Sequence, residues 1–218
     1  MRLGRIVLAA ALLAAAAPVA AQQPAQPLPA DVERFQSFLS NDATYKELLQ
    51  QLALMSDAQG APDCKERKAV GRTLLVVAPP TFPEGAPYPS SGLWQERVVV
   101  ERCGGKSQQN ILIQARPDGP PRAMPLMPGT TGAPAPMQSA ILKDVVEQLA
   151  SGKAKCSDLT KIQPLDSGMD KNSKLPKPGE KGSWREVWNF RACGKKVDVP
   201  VEYTADGKGG LTHKVLAK

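Results

Sequence analysis

Apolar residues recur at two periods along this chain, and the two periods alternate in blocks. From Asp31 the apolar positions step by three and four: Val32, Phe35 and Leu39, then Tyr45, Leu48, Leu49, Leu52 and Met55. This is the helical period. Asp42 stands where an N-cap would open the second helix, and Gly60 stands where it would stop. Arg72 to Ala78 is rich in Leu and Val and predicts a short strand, halted by Pro79-Pro80. Alternation follows in Leu93–Arg102 and Asn110–Arg116, joined by a turn over Cys103–Lys106. The helical period returns at Met137 with Ile141, Leu142, Val145, Val146 and Leu149 facing inward, and ends at Gly152. Alternation then closes the chain in Trp184–Ala192, Val197–Thr204 and Leu211–Leu216.

The period of two assigns faces. Trp184, Glu186, Trp188, Phe190 and Ala192 share one side of their strand. Trp94, Glu96, Val98, Val100 and Arg102 share the same side of theirs. Val197, Val199, Val201 and Tyr203 point inward on the next strand. An isolated hairpin is marginal in water, so a helix is expected to cover each of these faces. Pro200 interrupts the second strand of the last block. Having no N–H, it requires either a gap in the ladder or a local sheet edge.

The two blocks match residue by residue. Trp94, Glu96, Cys103-Gly104 and Lys106 correspond to Trp184, Glu186, Cys193-Gly194 and Lys196 at one offset (184 − 94 = 90). Ile111, Ile113 and Asp118-Gly119 correspond to Val199, Val201 and Asp206-Gly207 at an offset of 88 (206 − 118 = 88). Each block is also preceded by a helix, a glycine and then a cysteine four residues later. Similarity at a fixed offset marks a duplicated unit. The expected fold class is therefore α+β, with two repeated helix plus antiparallel β-meander units. The first unit covers residues 31–116 and the second 137–218. Residues 117–136 hold seven prolines and three glycines and read as a linker, in which Met124, Leu126 and Met127 have room for a poor edge strand. Residues 166–182 read as a mobile loop.

Four cysteines allow three pairings. One pair per unit, Cys64–Cys103 and Cys156–Cys193, follows from the repeat. Cys103–Cys193 between the units is the main rival. The start of the chain makes disulfides the default. Arg2 and Arg5 precede an apolar run from Ile6 to Ala17, and Val19-Ala20-Ala21 forms a small-residue cleavage site. That is the pattern of a secretory signal peptide over residues 1–21, and export leads to an oxidising periplasm or exterior. A flexible leader is expected over 22–30. The run is short of the roughly 20 residues a membrane span needs, and no later segment qualifies.

The net charge of +7 is unevenly placed. Residues 22–150 are near neutral, whereas residues 151–218 hold 14 Lys+Arg against 8 Asp+Glu. Lys171, Lys174, Lys177 and Lys181 stud the loop of the second unit. Such a cluster suits an anionic surface or envelope component; the bland alternative is a solvated loop kept soluble by its charge. The absence of interleaved aromatics argues against nucleic acid.

Little in the chain carries chemistry. His213 is the single histidine and sits on an alternating strand. No G-x-S-x-G elbow, phosphate loop or C-x-x-C pair is present, and committed cysteines leave no metal or cofactor site to assign. Glu96 and Glu186 are the sharper candidates, each a carboxylate on an apolar face, where burial would raise its pKa. The bland alternative pairs each with a cation or places it at the sheet rim. The Trp-x8-Cys-Gly and Asp-Gly-x-Gly-Gly patterns resemble those of a family of small exported bacterial proteins. The resemblance covers about 35 residues of each unit and is weaker in the first, where Pro120-Pro121 follow Asp118-Gly119. It implies an export-linked α+β fold and no activity. The leading expectation is an exported non-catalytic protein that binds a partner or envelope component. The alternative is an exported enzyme or enzyme inhibitor.

Overall fold

In this computed structural model residues 30–152 and 155–216 are described. The expected signal peptide, its cleavage site and most of the leader lie outside them.

Two helices come first, α1 (Ala30–Asn41) and α2 (Ala43–Gly60). The Asp42 carboxylate accepts from the Tyr45 N–H at 2.7 Å, so the predicted cap is in place. The buried face of α2 is Tyr45, Leu49, Ala53 and Asp57. This corrects the expected stripe: Leu48 and Met55 face solvent. A strict four-residue step selects a narrower stripe than apolarity alone indicates, and that stripe ends on a buried aspartate.

Four strands follow as an antiparallel meander: β1 (Arg67–Thr81), β2 (Ser91–Arg102), β3 (Gly105–Arg116) and β4 (Gly119–Pro125). A third helix, α3 (Ala135–Ser151), leads to a second meander of β5 (Ile162–Met169), β6 (Lys181–Ala192), β7 (Lys195–Asp206) and β8 (Leu211–Val215). The described residues are thus mixed helix and antiparallel sheet, with two four-stranded sheets.

One strand lies in the linker that had room for a poor edge strand, and one lies where loop was expected. β4 occupies part of the proline-rich linker, and β5 takes the first residues of the loop read over 166–182. Both are edge strands, the place where a sheet tolerates Pro120, Pro121, Pro125 and Pro164. Pro200 is accommodated similarly. The β7–β8 ladder starts at Val201 opposite Val215, so β7 is an edge on that side from Pro200 backwards.

Each sheet buries the predicted face under its helix. In the first, Trp94, Val98, Val100, Ile111 and Ile113 pack with Phe35, Phe38, Tyr45 and Leu49. In the second, Trp184, Trp188, Phe190, Val199, Val201 and Tyr203 pack with Ile141, Val145 and Leu149. Both long hairpins turn on Cys-Gly. Cys103 and Gly104 have φ of 36° and 80°, and Cys193 and Gly194 have 49° and 83°. Two consecutive positive φ values are what a two-residue hairpin turn compatible with strand twist requires. The turn is therefore shorter than the expected Cys103–Lys106. Each turn cysteine is tied back to the segment after its helix, through Cys64–Cys103 and Cys156–Cys193. No helix among the described residues is long and apolar enough to cross a membrane.

Candidate functional site

The two face glutamates are both wholly buried, at 0% exposure, but their surroundings differ. Glu186 is saturated. Its Oε1 accepts from the Gly132 N–H at 2.6 Å and the Trp184 indole at 3.2 Å. Its Oε2 accepts from the Thr131 hydroxyl at 2.6 Å, the Trp188 indole at 3.0 Å and the Tyr203 hydroxyl at 3.3 Å. Burial and the neighbouring Glu186 charge push the Tyr203 phenol far above its ordinary value, so Tyr203 stays protonated and donates. No cation is needed, contrary to the ion pair or rim position expected as the bland alternative. Neutral donors aimed at one carboxylate provide the compensation that a buried charge requires.

Glu96 is less well supplied. Its Oε1 accepts from the Tyr45 hydroxyl at 2.8 Å, and Tyr45 in turn accepts from the Trp94 indole at 2.8 Å. Its Oε2 has no hydrogen-bond partner, and the nearest cation is Arg72 Nε on β1, at 3.8 Å and partly exposed. The cause is a rearrangement of aromatics. Opposite Trp184 the neighbouring strand carries Tyr203, whereas opposite Trp94 it carries Ile113. The first unit draws its tyrosine from α2 instead. Burial pushes the Glu96 carboxyl above its ordinary range, against the opposing pull of the Tyr45 hydrogen bond and then the Arg72 charge.

A pH dependence follows. The native state holds the Glu96 proton more tightly than the unfolded state. The associated stability is complete below the ordinary value of 4.5 and is lost as pH rises through the raised native value. Wild type should therefore lose stability relative to Glu96→Gln as the pH rises from about 4.5 through the raised native value, as read from urea midpoints. A constant difference across that range would show that the carboxyl is not raised.

A third buried acid escaped the sequence reading. Asp57, at the end of α2, is paired with Arg102 at 2.8 Å and Arg67 at 3.3 Å and also takes the Ser107 hydroxyl. Its signal was the stripe itself, because Asp57 continues the step Tyr45, Leu49, Ala53. Thr131, Gly132 and Gln138 were also missed. Gln138 is buried and bridges the Met127 N–H and the Ala133 carbonyl. Thr131 and Gly132 lie in the linker, where no period exists to read.

The surface cavities lie elsewhere. One of 720 Å³ flanks the first hairpin turn, between Lys65–Lys68 and Glu101–Lys106. A second, of 390 Å³, spans the joint between the sheets and shares Arg102 and Lys106 with the first. A third, of 430 Å³, shares Asp166 and Gly168 with the second and reaches Lys171. A fourth, of 320 Å³, shares Asp170 and Asn172 with the third and ends at Arg185 and Glu202. Neighbouring cavities thus share lining residues, and together they mark an open, channel-like run of depressions from the first sheet to the second. Burial raises the Asp166 carboxyl within it.

The joint beneath the channel is built from backbone. Thr130 N–H donates to the Ser167 carbonyl and the Ser167 hydroxyl to the Pro128 carbonyl. The Gly129 N–H donates to the Gln108 carbonyl. Arg191 reaches across to the Gln59 and Gly60 carbonyls at 3.3 Å each. Gly129 has φ of 90°, and a Cβ there would collide with Asp166 and the Ser167 backbone; only glycine lets the chain pass so close.

The predicted site residues are thus dispersed. Lys171 lines the channel, while Lys174, Lys177 and Lys181 are exposed beside it without an ion pair among the described residues. Glu96 and Glu186 line none of the four cavities. His213 is partly buried and bonds Asp144 on α3 at 2.8 Å. Among the described residues no group of three or more His, Cys, Asp or Glu is placed to hold a metal ion. No family model matches this chain, and neither a curated protein nor a solved structure is matched by it.

Proposed function

We propose that the mature chain is an exported, disulfide-stapled binding protein built from two copies of one helix-plus-meander unit. Its partner is an anionic surface or envelope component that lies along the channel across the joint. Export to the periplasm or exterior is supported by the charged and apolar start of the chain and is consistent with two disulfides. Duplication is supported by the fixed offset and by the positive-φ Cys-Gly turn and the buried glutamate that recur in each unit. The likeness to small exported bacterial proteins belongs to the same proposal.

The carrying observation is the run of adjoining depressions that crosses the joint with lysines among its lining residues. Lys65, Lys68, Lys106 and Lys171 border it in turn, interleaved with Glu66, Glu101, Asp166 and Asp170. Binding is favoured over an exported enzyme because the two candidate carboxylates are fully buried and line none of these cavities.

Retention of the mature protein on anionic vesicles or lipopolysaccharide tests the proposal. Exposed charges lose reach beyond about 8 Å at physiological salt. Binding should therefore weaken on the order of tenfold between about 50 mM and several hundred millimolar salt. Replacing Lys171, Lys174, Lys177 and Lys181 with Gln should abolish it while leaving the thermal transition in place. No retention at low salt, or equal retention by the Gln variant, would dismiss the anionic partner.

A further inference from the structure

β1 is unlike the other strands. It is 15 residues long and only β2 pairs with it, so one whole backbone edge is open. Apart from Pro80 none of its residues is buried. Leu74, Leu75, Val76 and Val77 are 41–48% exposed. The register sends Leu74 and Val76 to the face shared with Glu96 and Trp94 and Leu75 to the other face, while Val77 is the extra residue of a bulge. Both helices touch β1, and the Arg72 guanidinium donates to the Leu39 carbonyl of α1, but Leu74, Leu75, Val76 and Val77 stay exposed beyond their reach.

Proteins usually protect an open edge with charge, proline or a bulge. In β1 charge and proline sit at the ends, and bulges at Val70 and Val77 border a regular stretch from Gly71 to Val76. Arg67, Lys68 and Arg72 lie on one side of the apolar run, and Pro79-Pro80 lie on the other. The register shifts fall between Ala69 and Gly71 and from Val76 onward. Thr73–Val77 carries neither charge nor proline. The edge of the second sheet is different: β5 is eight residues long and includes Pro164, Asp166 and Gly168.

We propose that β1 is a self-association edge that pairs antiparallel with β1 of a second copy of this chain, with Leu75 opposite Leu75. A two-fold axis perpendicular to the sheet keeps each face on its own side. It places Thr73 opposite Val77 and Leu74 opposite Val76, so the apolar run is its own complement. The two four-stranded sheets become one sheet of eight strands. Charge selects the same arrangement. The antiparallel pair sets Arg72 of one copy opposite Ala78 of the other, and Arg67 and Lys68 past its Thr81 end, opposite the uncharged Phe82 and Pro83. A parallel pair would stack those cations on their own copies, and like charges placed opposite one another are destabilising. The pairing satisfies backbone groups and covers apolar surface over a short length. It belongs with the smaller interfaces, so the dimer is expected to be half-formed at roughly micromolar to tens of micromolar protein. This proposal is independent of the channel.

Sedimentation of the mature, oxidised protein from about 1 to 200 µM provides the first measurement. A monomer–dimer equilibrium is expected, and Leu75→Lys should shift its midpoint at least tenfold without moving the thermal transition of the monomer. Register is read separately by cysteine cross-linking. Opposed residues of an antiparallel pair have Cα atoms about 4.5–5.5 Å apart, within disulfide range. Leu75→Cys should give a covalent dimer under mild oxidation. Thr73→Cys should not, because its two copies lie four residues apart along the ladder. A wild-type monomer at 200 µM, a dimer indifferent to Leu75→Lys, or equal cross-linking at both positions would overturn the proposal. So would a monomer that instead takes an extended peptide of another protein onto this edge.

Discussion

Glu186→Ala is expected to lower the stability of the protein by at least about 4 kcal/mol, because it strands a set of buried donors. Five groups converge on this carboxylate: two indoles, two hydroxyls and one backbone N–H. A buried donor left without a partner costs roughly 1–3 kcal/mol. Trp188 and Tyr203 are wholly buried, and the small space vacated by the side chain cannot hydrate every donor. Glu186→Gln separates charge from shape. With its amide nitrogen at the Oε1 position it would face Gly132 N–H and Trp184 Nε1, both obligate donors. At the Oε2 position it would face one obligate donor, Trp188 Nε1, beside two hydroxyls that can rotate to accept. The second arrangement should prevail, with a loss of about 2 kcal/mol. Glu202→Ala, which removes an exposed pair with Arg185, should cost less than about 1 kcal/mol. Urea denaturation of the three variants checks the order. A Glu186→Ala protein as stable as Glu202→Ala would mean that the five donors find other partners.

The same substitution at Glu96 has a different expectation, although the sequence presents the two positions as equivalents. Removing Glu96 frees one hydroxyl, on Tyr45, and one partly exposed arginine that can turn to solvent. About 1–2 kcal/mol is expected.

Alternation placed Glu96 and Glu186 on the buried face correctly, because a strand side chain has only two directions available. It carried no information about their partners. The donors to Glu186 include Thr131 and Gly132, which lie more than fifty residues away in sequence, in a stretch with no hydrophobic period. β4 and β5 were obscured for a related reason. An edge strand takes its order from its neighbour's backbone, so it can carry prolines and needs little alternation of its own. The β1 edge was hidden by its composition: a Leu/Val run reads as buried strand, and only the reach of the helices determines that it is not. The two disulfides were legible because one cysteine pair falls in each block at nearly equal spacing.

Those disulfides give the other large effect. They span 39 and 37 residues, and on the chain-entropy model each constrains the unfolded chain by about 4 kcal/mol. For a protein of this size that corresponds to a fall in Tm of roughly 8–16 °C per bridge. The replacement residue should matter at one end of each bridge. Cys103 and Cys193 have φ of 36° and 49°, a conformation that costs an L-residue roughly 1–2 kcal/mol and glycine almost nothing. Cys156→Ala with Cys193→Gly should therefore be about 1 kcal/mol more stable than the variant with Ala at both positions. The same ranking should hold for Cys64 and Cys103. The units should differ in how much local structure survives. In the first, Arg67 and Arg102 still hold Asp57 at the end of α2, against the hairpin the disulfide had pinned. In the second, the Cys156 N–H bond to Leu149 at the end of α3 and the Cys193 N–H bond to Lys161 before β5 remain, with no buried ion pair beside them among the described residues. Amide exchange should consequently remain slow around Ser107 and Gln109 when the first bridge is removed, and become fast around Cys193 and Lys195 when the second is removed. Equal loss of protection at both hairpins would mean that the Asp57 cluster does not hold the first unit together without its disulfide.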